Sequence, residues 1–168
     1  MAKQRYVCLL ISLSMLLSGC SSSGVSDQEQ QIYDLTAEDW QRIEEQESLV
    51  LDLLNSNYGE VAFEHGPGDL EYIQRILDDS LLDPDQTYEL QSLGIVFGQV
   101  LASQTGFEWI IVDDEYGRDP ALILEDTSIL LFPLTMISKR VEQGEEVDVL
   151  ALYNRTLEQV EELYESAE

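Results

Sequence analysis

Basic residues are scarce in this sequence of 168 residues, and cysteine, histidine and proline are scarcer still. Eight Lys or Arg face 34 Asp or Glu, a formal net charge of −26, and the chain has one His, two Cys and four Pro. Such a charge repels nucleic acid and anionic lipid headgroups, so neither is expected as a ligand. A phosphate-binding loop, a dinucleotide glycine fingerprint and a Gly-x-Ser-x-Gly elbow are all missing. The sequence therefore predicts no cofactor, no metal and no enzymatic activity.

A short apolar run near the N-terminus predicts an export signal. Tyr6 to Leu17 is interrupted only by two serines and follows Lys3 and Arg5. A helix that crosses the hydrocarbon core of a bilayer needs about 20 apolar residues, so this run is too short to be a permanent span. Residues 1–19 are therefore predicted to be removed after export.

Residues 17–20 (Leu-Ser-Gly-Cys) resemble the lipobox of bacterial lipoproteins. The resemblance implies cleavage between Gly19 and Cys20 and acylation of Cys20 with fatty acids such as palmitate. Two or more acyl chains hold a protein stably at a membrane. Ser21 favours the outer membrane, facing the periplasm, because an aspartate there would favour inner-membrane retention in enteric-type sorting. The alternative is an ordinary export signal followed by a chance cysteine.

Loss of the signal makes the chain still more acidic. Lys3 and Arg5 leave with it, so six basic residues face all 34 acidic ones, a formal net charge of −28. Cys8 leaves too, and acylation consumes Cys20, which excludes a disulfide and a thiolate metal site from the folded part. Such a charge would suit a basic partner in the envelope. High solubility, or adaptation to a saline medium, is the favoured explanation of the charge itself.

The polarity pattern predicts a tether followed by one domain. Residues 20–31 are small and polar and form a flexible tether, and residues 32–168 form a single domain. Thr36 and Asp39 fit a capping box that starts the first helix. The apolar stripe of that helix is predicted to be Trp40, Ile43, Val50 and Leu54.

Two more helices are predicted before the first long strand. Asp69 is expected to cap the second helix. Asp83 is expected to cap the third, with Pro84 at its first helical position. The third helix then continues to about Ser103, and Gly106 is expected to be its C-terminal cap.

Gly94 and Gly98 lie one turn apart on nearly the same face of the third helix. Glycine costs a helix up to about 1 kcal/mol relative to alanine, so a compensating contact is expected at these positions. We predict that another element of the same domain approaches the backbone closely there.

After residue 106 the apolar pattern becomes strand-like. Phe107 to Val112 and Ala121 to Leu124 predict an antiparallel hairpin joined by a polar loop, Asp113 to Pro120, and Ile129 to Phe132 predicts a possible third strand. Two C-terminal helices follow, one opened by Pro133. The whole is an α+β domain with N-terminal helices, a small antiparallel sheet and two C-terminal helices. Its core is predicted to include Trp40, Leu93, Phe97, Trp109, Ile111, Leu122, Leu150 and Leu157.

The stretch from about residue 90 to residue 163 resembles a bacterial family known only as a domain of unknown function, number 3806. The resemblance depends on the order and spacing of Leu93, Gly94, Gly98, Trp109, the 113–117 turn, Pro133, Lys139, Arg140, Glu142 and Gly144. It implies an α+β domain of a kind found in exported or envelope proteins. It implies no reaction.

Carboxylates cluster in the predicted hairpin loop, at Asp113, Asp114, Glu115 and Asp119. Loop carboxylates can bind Ca²⁺, but the EF-hand spacing is missing. Glycine is fifth rather than sixth, and Leu124 occupies the position of the bidentate glutamate. A solvated turn is therefore favoured over a metal site.

The other candidate residues are a lone histidine, a strand tryptophan and two adjacent bases. His65 is expected to be a loop residue rather than a base or a ligand, and Trp109 a core residue. Neighbours on a helix point about 100° apart. One of Lys139 and Arg140 is therefore expected to pair with a carboxylate across to the sheet, and the other to be solvated. The alternative is a binding or structural polar site formed by Trp109, Asp113, Asp114, Lys139 and Arg140.

Three functions remain open. The anchor, tether and charge favour a non-enzymatic binding or accessory protein, of the immunity type, for a basic envelope partner. A hydrolase of peptidoglycan or glycan that uses paired carboxylates is the second, although no nucleophile is recognisable. A structural lipoprotein of an outer-membrane assembly is the third.

Overall fold

A computed structural model describes residues 30–167 and shows the predicted α+β fold. The predicted signal, with Gly19 and Cys20, and the predicted tether as far as Glu29 lie outside these residues. Gln31, predicted to be the last tether residue, instead begins a strand. The elements in chain order are β1 (Gln31–Tyr33), α1 (Ala37–Tyr58), α2 (Asp69–Asp78), α3 (Thr87–Gln104), β2 (Phe107–Asp114), β3 (Gly117–Leu124), β4 (Leu130–Leu131), α4 (Pro133–Glu142) and α5 (Val149–Ala167).

Helix α1 begins at the predicted capping box. Thr36 Oγ1 accepts a hydrogen bond from the Asp39 N–H at 3.2 Å, and the Asp39 carboxylate accepts one from the Thr36 N–H at 2.9 Å. Trp40, predicted for the core, is 42 % exposed. That prediction is wrong because the first buried position of α1 is Asp39, one residue earlier, and successive helical side chains point in different directions; Ile43, Val50 and Leu54 are buried as predicted. The buried stripe is Asp39, Ile43, Gln46, Val50 and Leu54.

Helices α2 and α3 both differ at their ends from the prediction. Asp69 is the first residue of α2 rather than its cap. Helix α3 begins after a turn in which the Gln86 N–H donates to the Asp83 carbonyl at 3.0 Å. Pro84 fits the second position of such a turn, because its ring fixes φ at a suitable value. The C-terminal cap of α3 is Thr105, which has an extended backbone, rather than Gly106.

The sheet has four antiparallel strands in the order β1-β2-β3-β4. β1 was not predicted, whereas β4 confirms the third predicted strand in shortened form. Strands β2 and β3 continue through the predicted loop, because Asp114 pairs with Gly117 and only two residues form the turn. The Asp114 carboxylate accepts a hydrogen bond from the Tyr116 N–H at 2.8 Å and supports this turn. The polar residues 113–120 were predicted to be a loop from their composition. Most of them lie at strand ends that extend past the core, where polar side chains remain in solvent.

The main core lies between the helices and one face of the sheet. Leu93, Phe97, Trp109, Ile111 and Leu122 are buried, as predicted. Leu157 is partly buried against this core.

Leu150 is 56 % exposed, so its assignment to the core is wrong. The buried residues of α5 follow a neighbouring stripe, Val149, Leu152, Tyr153 and Thr156.

The opposite face of the sheet carries a second apolar cluster. Ile110, Val112 and Ala121 are buried at its centre, and the partly buried residues around them are Ile32, Ile123, Leu130 and Phe132. We call these seven residues the outer sheet face. None of the described helices contributes a residue to it.

Helix α4 packs closely on α3 at the two glycines. A Cβ at Gly94 would lie 2.4 Å from the Pro133 carbonyl oxygen and 2.6 Å from Leu134 Cα. A Cβ at Gly98 would lie 2.6 Å from Trp109 Cζ2. The predicted close approach is thus confirmed, and it is internal to the domain. Within residues 30–167, no helix is long and apolar enough to span a membrane.

Candidate functional site

The residues predicted to form a polar site lie on two elements. Trp109 lies in β2 on the face toward the helices and is 8 % exposed. Asp113 and Asp114 lie beyond it, at the hairpin end of the same strand. Lys139 and Arg140 lie near the C-terminal end of α4. Lys139 lies near the hairpin end, because Lys139 and Asp114 both act on the pKa of Asp119.

Neither base on α4 forms the expected ion pair. Lys139 is exposed, and an Arg140 Nη1 N–H donates to the Met136 carbonyl oxygen on its own helix. The ion pairs within 4 Å among residues 30–167 are Arg118–Asp39 and His65–Glu47. Helix α4 is instead held by close packing against α3, which removes the need for an ion pair there.

The hairpin carboxylates Asp113, Asp114, Glu115 and Asp119 lie within residues 30–167, where no group of three or more potential ligands is placed to hold a metal ion. Burial raises the pKa of Asp119, and the neighbouring Asp114 raises it further, while Lys139 acts in the opposite direction. Asp114 and Asp119 therefore repel each other at one end of the outer sheet face.

An ion pair that the sequence did not indicate, buried only on its Asp39 side, joins α1 to the hairpin. Arg118 Nη1 and Nη2 donate to the Asp39 carboxylate oxygens at 2.6 and 2.8 Å. Asp39 is 4 % exposed, whereas the Arg118 side chain is 39 % exposed. The Arg118 guanidinium and the Thr36 hydroxyl hold the pKa of the Asp39 carboxyl well below its usual range. Asp113, which faces Arg118 across the hairpin, adds a further negative charge beside the guanidinium.

A chain of polar side chains runs from the α1–α2 loop to the core. His65 Nε2 lies 2.6 Å from Glu47 Oε1 on α1. Gln99 on α3 donates to Glu47 Oε2 at 3.4 Å and accepts a hydrogen bond from Trp109 Nε1 at 3.0 Å. The backbone of His65 is left-handed, with φ of 53°, and its carbonyl accepts from Ser103 Oγ.

These polar contacts give His65 a definite role. His65 is a loop residue, as predicted, and its imidazole and its carbonyl oxygen hold the loop against α1 and α3. The sequence offered no signal for Glu47, because one glutamate among 34 acidic residues is not distinctive. A carboxylate orients an imidazole through one ring nitrogen and leaves the other free. The arrangement positions the loop and supports the buried indole.

Two open surface depressions lie in the described region. One lies along the exposed side of α1, and its described lining residues are Gln41, Glu44, Glu45, Ser48, Leu49 and Asp52. All belong to one helix, so they do not form two opposed walls of a cleft. A second depression near the start of α2 is lined by Ala62, Glu64, Gly68, Asp69, Glu71 and Tyr72.

The fold and its glycine-mediated α3–α4 contact define a small α+β domain of an uncharacterised class. The chain belongs to the family described as a domain of unknown function (DUF3806), whose model matches residues 69–153, just over half of the chain. The match starts earlier and ends sooner than the predicted stretch, residues 90–163, and therefore includes α2. No curated protein matches the sequence.

A similar fold occurs in a crystal structure from Bacteroides thetaiotaomicron VPI-5482, at 1.50 Å resolution. The TM-score is 0.72, the sequence identity is 18 %, and the match covers 80 % of this chain. This chain spans about half of that protein, since the match covers 49 % of its length. The likeness shows a shared fold.

Proposed function

We propose that this protein is a lipid-anchored lipoprotein of the bacterial envelope, placed in the outer membrane and facing the periplasm. There it acts as a non-enzymatic binding or accessory protein for a basic partner. The anchor is supported by the apolar run from Tyr6 to Leu17 and by the lipobox-like residues 17–20 that follow it. The N-terminal strand begins at Gln31, so ten residues separate the anchor from the domain.

The unpaired negative charge is the observation that carries the binding function. Within residues 30–167, only Asp39 and Glu47 have a basic side chain within 4 Å. The remaining carboxylates of the described region have no basic side chain that close, although Lys139 lies near Asp119, and the field of such a surface attracts and orients a positively charged protein. The attraction weakens as salt is added, because charges more than about 8–10 Å apart are screened at physiological ionic strength.

The anchor is tested by replacing the acylated residue. Cys20→Ala should abolish labelling by a fatty-acid analogue and leave uncleaved precursor. Cys8→Ala, in the predicted signal, is the matched control and should be cleaved and acylated normally. Normal cleavage and membrane retention of the Cys20→Ala protein would refute the lipoprotein proposal.

The binding function is tested with the soluble protein from residue 20 onward, carrying Cys20→Ser. Pull-down from envelope extracts at moderate salt should retain basic proteins that are released as salt is raised. A companion Glu44→Gln/Glu45→Gln variant measures whether the charge of α1 contributes. Retention of no salt-sensitive partner would count against a basic partner.

A further inference from the structure

We propose that the basic partner displaces strand β1 and pairs an extended segment of its own with the edge of β2, with a Lys or Arg in the place of Gln31. This inference rests on the proposed function and names the way in which the partner is held. The observation that carries it is an edge strand of three residues that lies beside an excess of negative charge.

Few contacts hold β1 on the sheet. It is the outermost described strand on its side and pairs with β2 over three residues, whereas β2 and β3 pair over eight. Ile32 is partly buried against the centre of the outer sheet face, but Gln31 is exposed and Tyr33 is 44 % exposed. Just before β1, the Gln30 Nε2 amide is buried and has no hydrogen-bond partner among the described residues. A buried donor without a partner costs free energy, so this segment is weakly held.

The chain is attached more firmly after β1. Thr36 caps α1, and Asp39 accepts hydrogen bonds from Arg118 at 2.6 and 2.8 Å. Release of residues 30–35 would therefore leave α1 in place. β1 and α1 also precede residues 69–153, which match the family, and within that part β2 is the edge strand. Without β1, β2 would present unpaired N–H and C=O groups, onto which an extended segment can add as a strand.

The charge beside β1 indicates what can replace it. Gln31 pairs with Asp113, which pairs with Arg118 on the next strand. The Asp39 carboxylate raises the pKa of Arg118 most. Asp113 and Glu38 raise it further, so three carboxylates lie near one guanidinium. Gln31 is neutral and leaves this excess uncompensated, whereas a Lys or Arg in its place would lie directly across from a carboxylate.

The register also specifies the residue that follows the base. Side chains alternate along a strand, so this residue takes the place of Ile32, opposite Val112, and must be apolar. β-branched residues suit such a position. A second copy of this chain fits less well, because its β1 would again place Gln31 opposite Asp113 and would bring its own negative charge. The partner segment is therefore an extended one in which a Lys or Arg precedes an apolar residue.

The experiment uses two synthetic peptides and the soluble protein from residue 20 onward, carrying Cys20→Ser. One peptide has the sequence of residues 30–35 and competes with β1 directly. The other is identical except for Gln31→Lys and is compared with the first. Dissociation constants are measured by NMR, which detects weak binding, from the backbone amide shifts of residues 107–114.

One variant fixes β1 on the sheet. Gln31→Cys/Asp113→Cys places two thiols on directly opposite residues, whose Cα atoms lie about 4.5–5.5 Å apart in an antiparallel pair, a distance that a disulfide spans. The soluble protein contains no other cysteine, because Cys8 precedes residue 20 and Cys20 is replaced. Oxidation should therefore fix β1 on β2, and the reduced form of the same protein is the matched control.

A second variant weakens the hold on β1. Ile32→Ser removes the side chain of β1 that is partly buried against the outer sheet face. Leu150→Ser is the matched control, because Leu150 on α5 is 56 % exposed. Circular dichroism establishes that each protein is folded before its affinity is used.

The two variants should change peptide binding in opposite directions. Because β1 competes with the peptide at a high effective concentration, the oxidised cysteine protein should bind about tenfold or more weakly than its reduced form, and Ile32→Ser should bind more tightly than the starting protein. Leu150→Ser should bind as the starting protein does. The Gln31→Lys peptide should bind the starting protein about two- to fivefold more tightly than the unchanged peptide, as expected of one opposite-charge pair across strands. This preference should be lost in the reduced cysteine protein, which lacks the Asp113 carboxylate.

Several results would overturn the displacement of β1. These are equal affinities of the oxidised and reduced proteins, no gain of affinity in Ile32→Ser, and peptide-induced shifts that avoid residues 107–114. Equal binding of the two peptides would refute the need for a base in the place of Gln31. A disulfide-linked dimer formed on oxidation would identify a second copy as the occupant.

The pull-down from envelope extracts separates this inference from the proposed function. It is repeated with the oxidised and the reduced Gln31→Cys/Asp113→Cys protein. Basic proteins retained equally by both forms would leave the basic partner intact and place its binding site elsewhere. Retention of no salt-sensitive protein by either form or by the starting protein would count against the basic partner itself.

Discussion

Helices α1 and α4 are both attached to α3, but by different physical means. Pro133 of α4 lies against the bare backbone at Gly94, in a contact too close for any side chain. Helix α1 contacts α3 partly through polar side chains. Gln46 of α1 donates to Ser92 Oγ on α3 at 3.4 Å, and Gln99 of α3 donates to Glu47 of α1. Lack of volume therefore limits the first attachment, whereas the second adds hydrogen bonds and charge to the apolar packing of Ile43, Val50 and Leu54.

This difference predicts which perturbations each helix resists. A close backbone contact fails when atoms are added, since well-packed interiors leave no room to relax. It is insensitive to pH and salt. A polar attachment tolerates small changes of volume but fails when one partner of a hydrogen bond or ion pair is removed, because the other is left unsatisfied.

Substitution of Gly94 should have the largest effect. A Cβ there would meet backbone atoms of Pro133 and Leu134, which move only if α4 moves. Overpacking costs about 1–3 kcal/mol or more, which exceeds the gain of up to about 1 kcal/mol in helix propensity. Urea unfolding should therefore show a net loss for Gly94→Ala and a larger one for Gly94→Leu.

Gly68→Ala is the matched control for Gly94, because Gly68 has φ of −62° and no atom within 4 Å of a built Cβ. Its stability should stay close to that of the starting protein. A higher melting temperature for Gly94→Ala would show that the α3–α4 contact is not limited by volume.

Loss of Asp39 should have the next largest effect and should depend on pH. Asp39 completes the capping box from the third helical position, helix caps contribute about 0.5–2 kcal/mol, and Asp39→Asn also loses the charge that binds Arg118. Because the folded pKa is lowered, this contribution is complete above the ordinary value near 4 and disappears as the pH falls through the lowered pKa. In thermal melts below about pH 4, the starting protein should lose more stability than Asp39→Asn.

Asp52→Asn, at an exposed position of the same helix, is the control for Asp39. It should follow the acid sensitivity of the starting protein. Parallel loss of stability in the starting protein and in Asp39→Asn would show that the Arg118 pair contributes nothing to acid sensitivity.

Much of the contrast between α1 and α4 was predictable from the sequence. Gly94 and Gly98 at helical spacing signalled a close neighbour, and Pro133 marked the start of the helix that supplies it. The Thr36 and Asp39 capping box likewise located the start of α1. These features are local, since each depends on residues within about one helical turn.

The polar attachments of α1 were not predictable. Asp39 and Arg118 are 79 positions apart, and Glu47 and Gln99 are 52 apart. Nothing local distinguishes one carboxylate of a very acidic chain from another. The capping box predicted one role of Asp39, as a cap of α1. It gave no indication that the same carboxylate also binds the Arg118 guanidinium. β1 was not predicted because its three residues are too few to show the alternating polarity of a strand.

Gly98→Ala should cost less than Gly94→Ala. The added Cβ would lie 2.6 Å from the Trp109 ring and 3.1 Å from Pro133 Cβ, both side-chain atoms, so part of the strain can be relieved. We expect a net loss of about 1 kcal/mol. Trp109 fluorescence should shift as well, measured with Trp40→Phe because Trp40 is the other tryptophan. An unchanged emission spectrum and a higher melting temperature would contradict this prediction.

Gln99→Leu should have the smallest effect, and it tests the polar attachment alone. Gln99 bridges Trp109 Nε1 and the Glu47 carboxylate, so leucine of similar size leaves the indole N–H without its partner. An unsatisfied donor that is only partly buried costs about 1 kcal/mol. A Trp109→Phe background removes that donor in advance, so the same substitution should cost measurably less there. Equal losses in both backgrounds would show that the hydrogen bond to Trp109 contributes nothing.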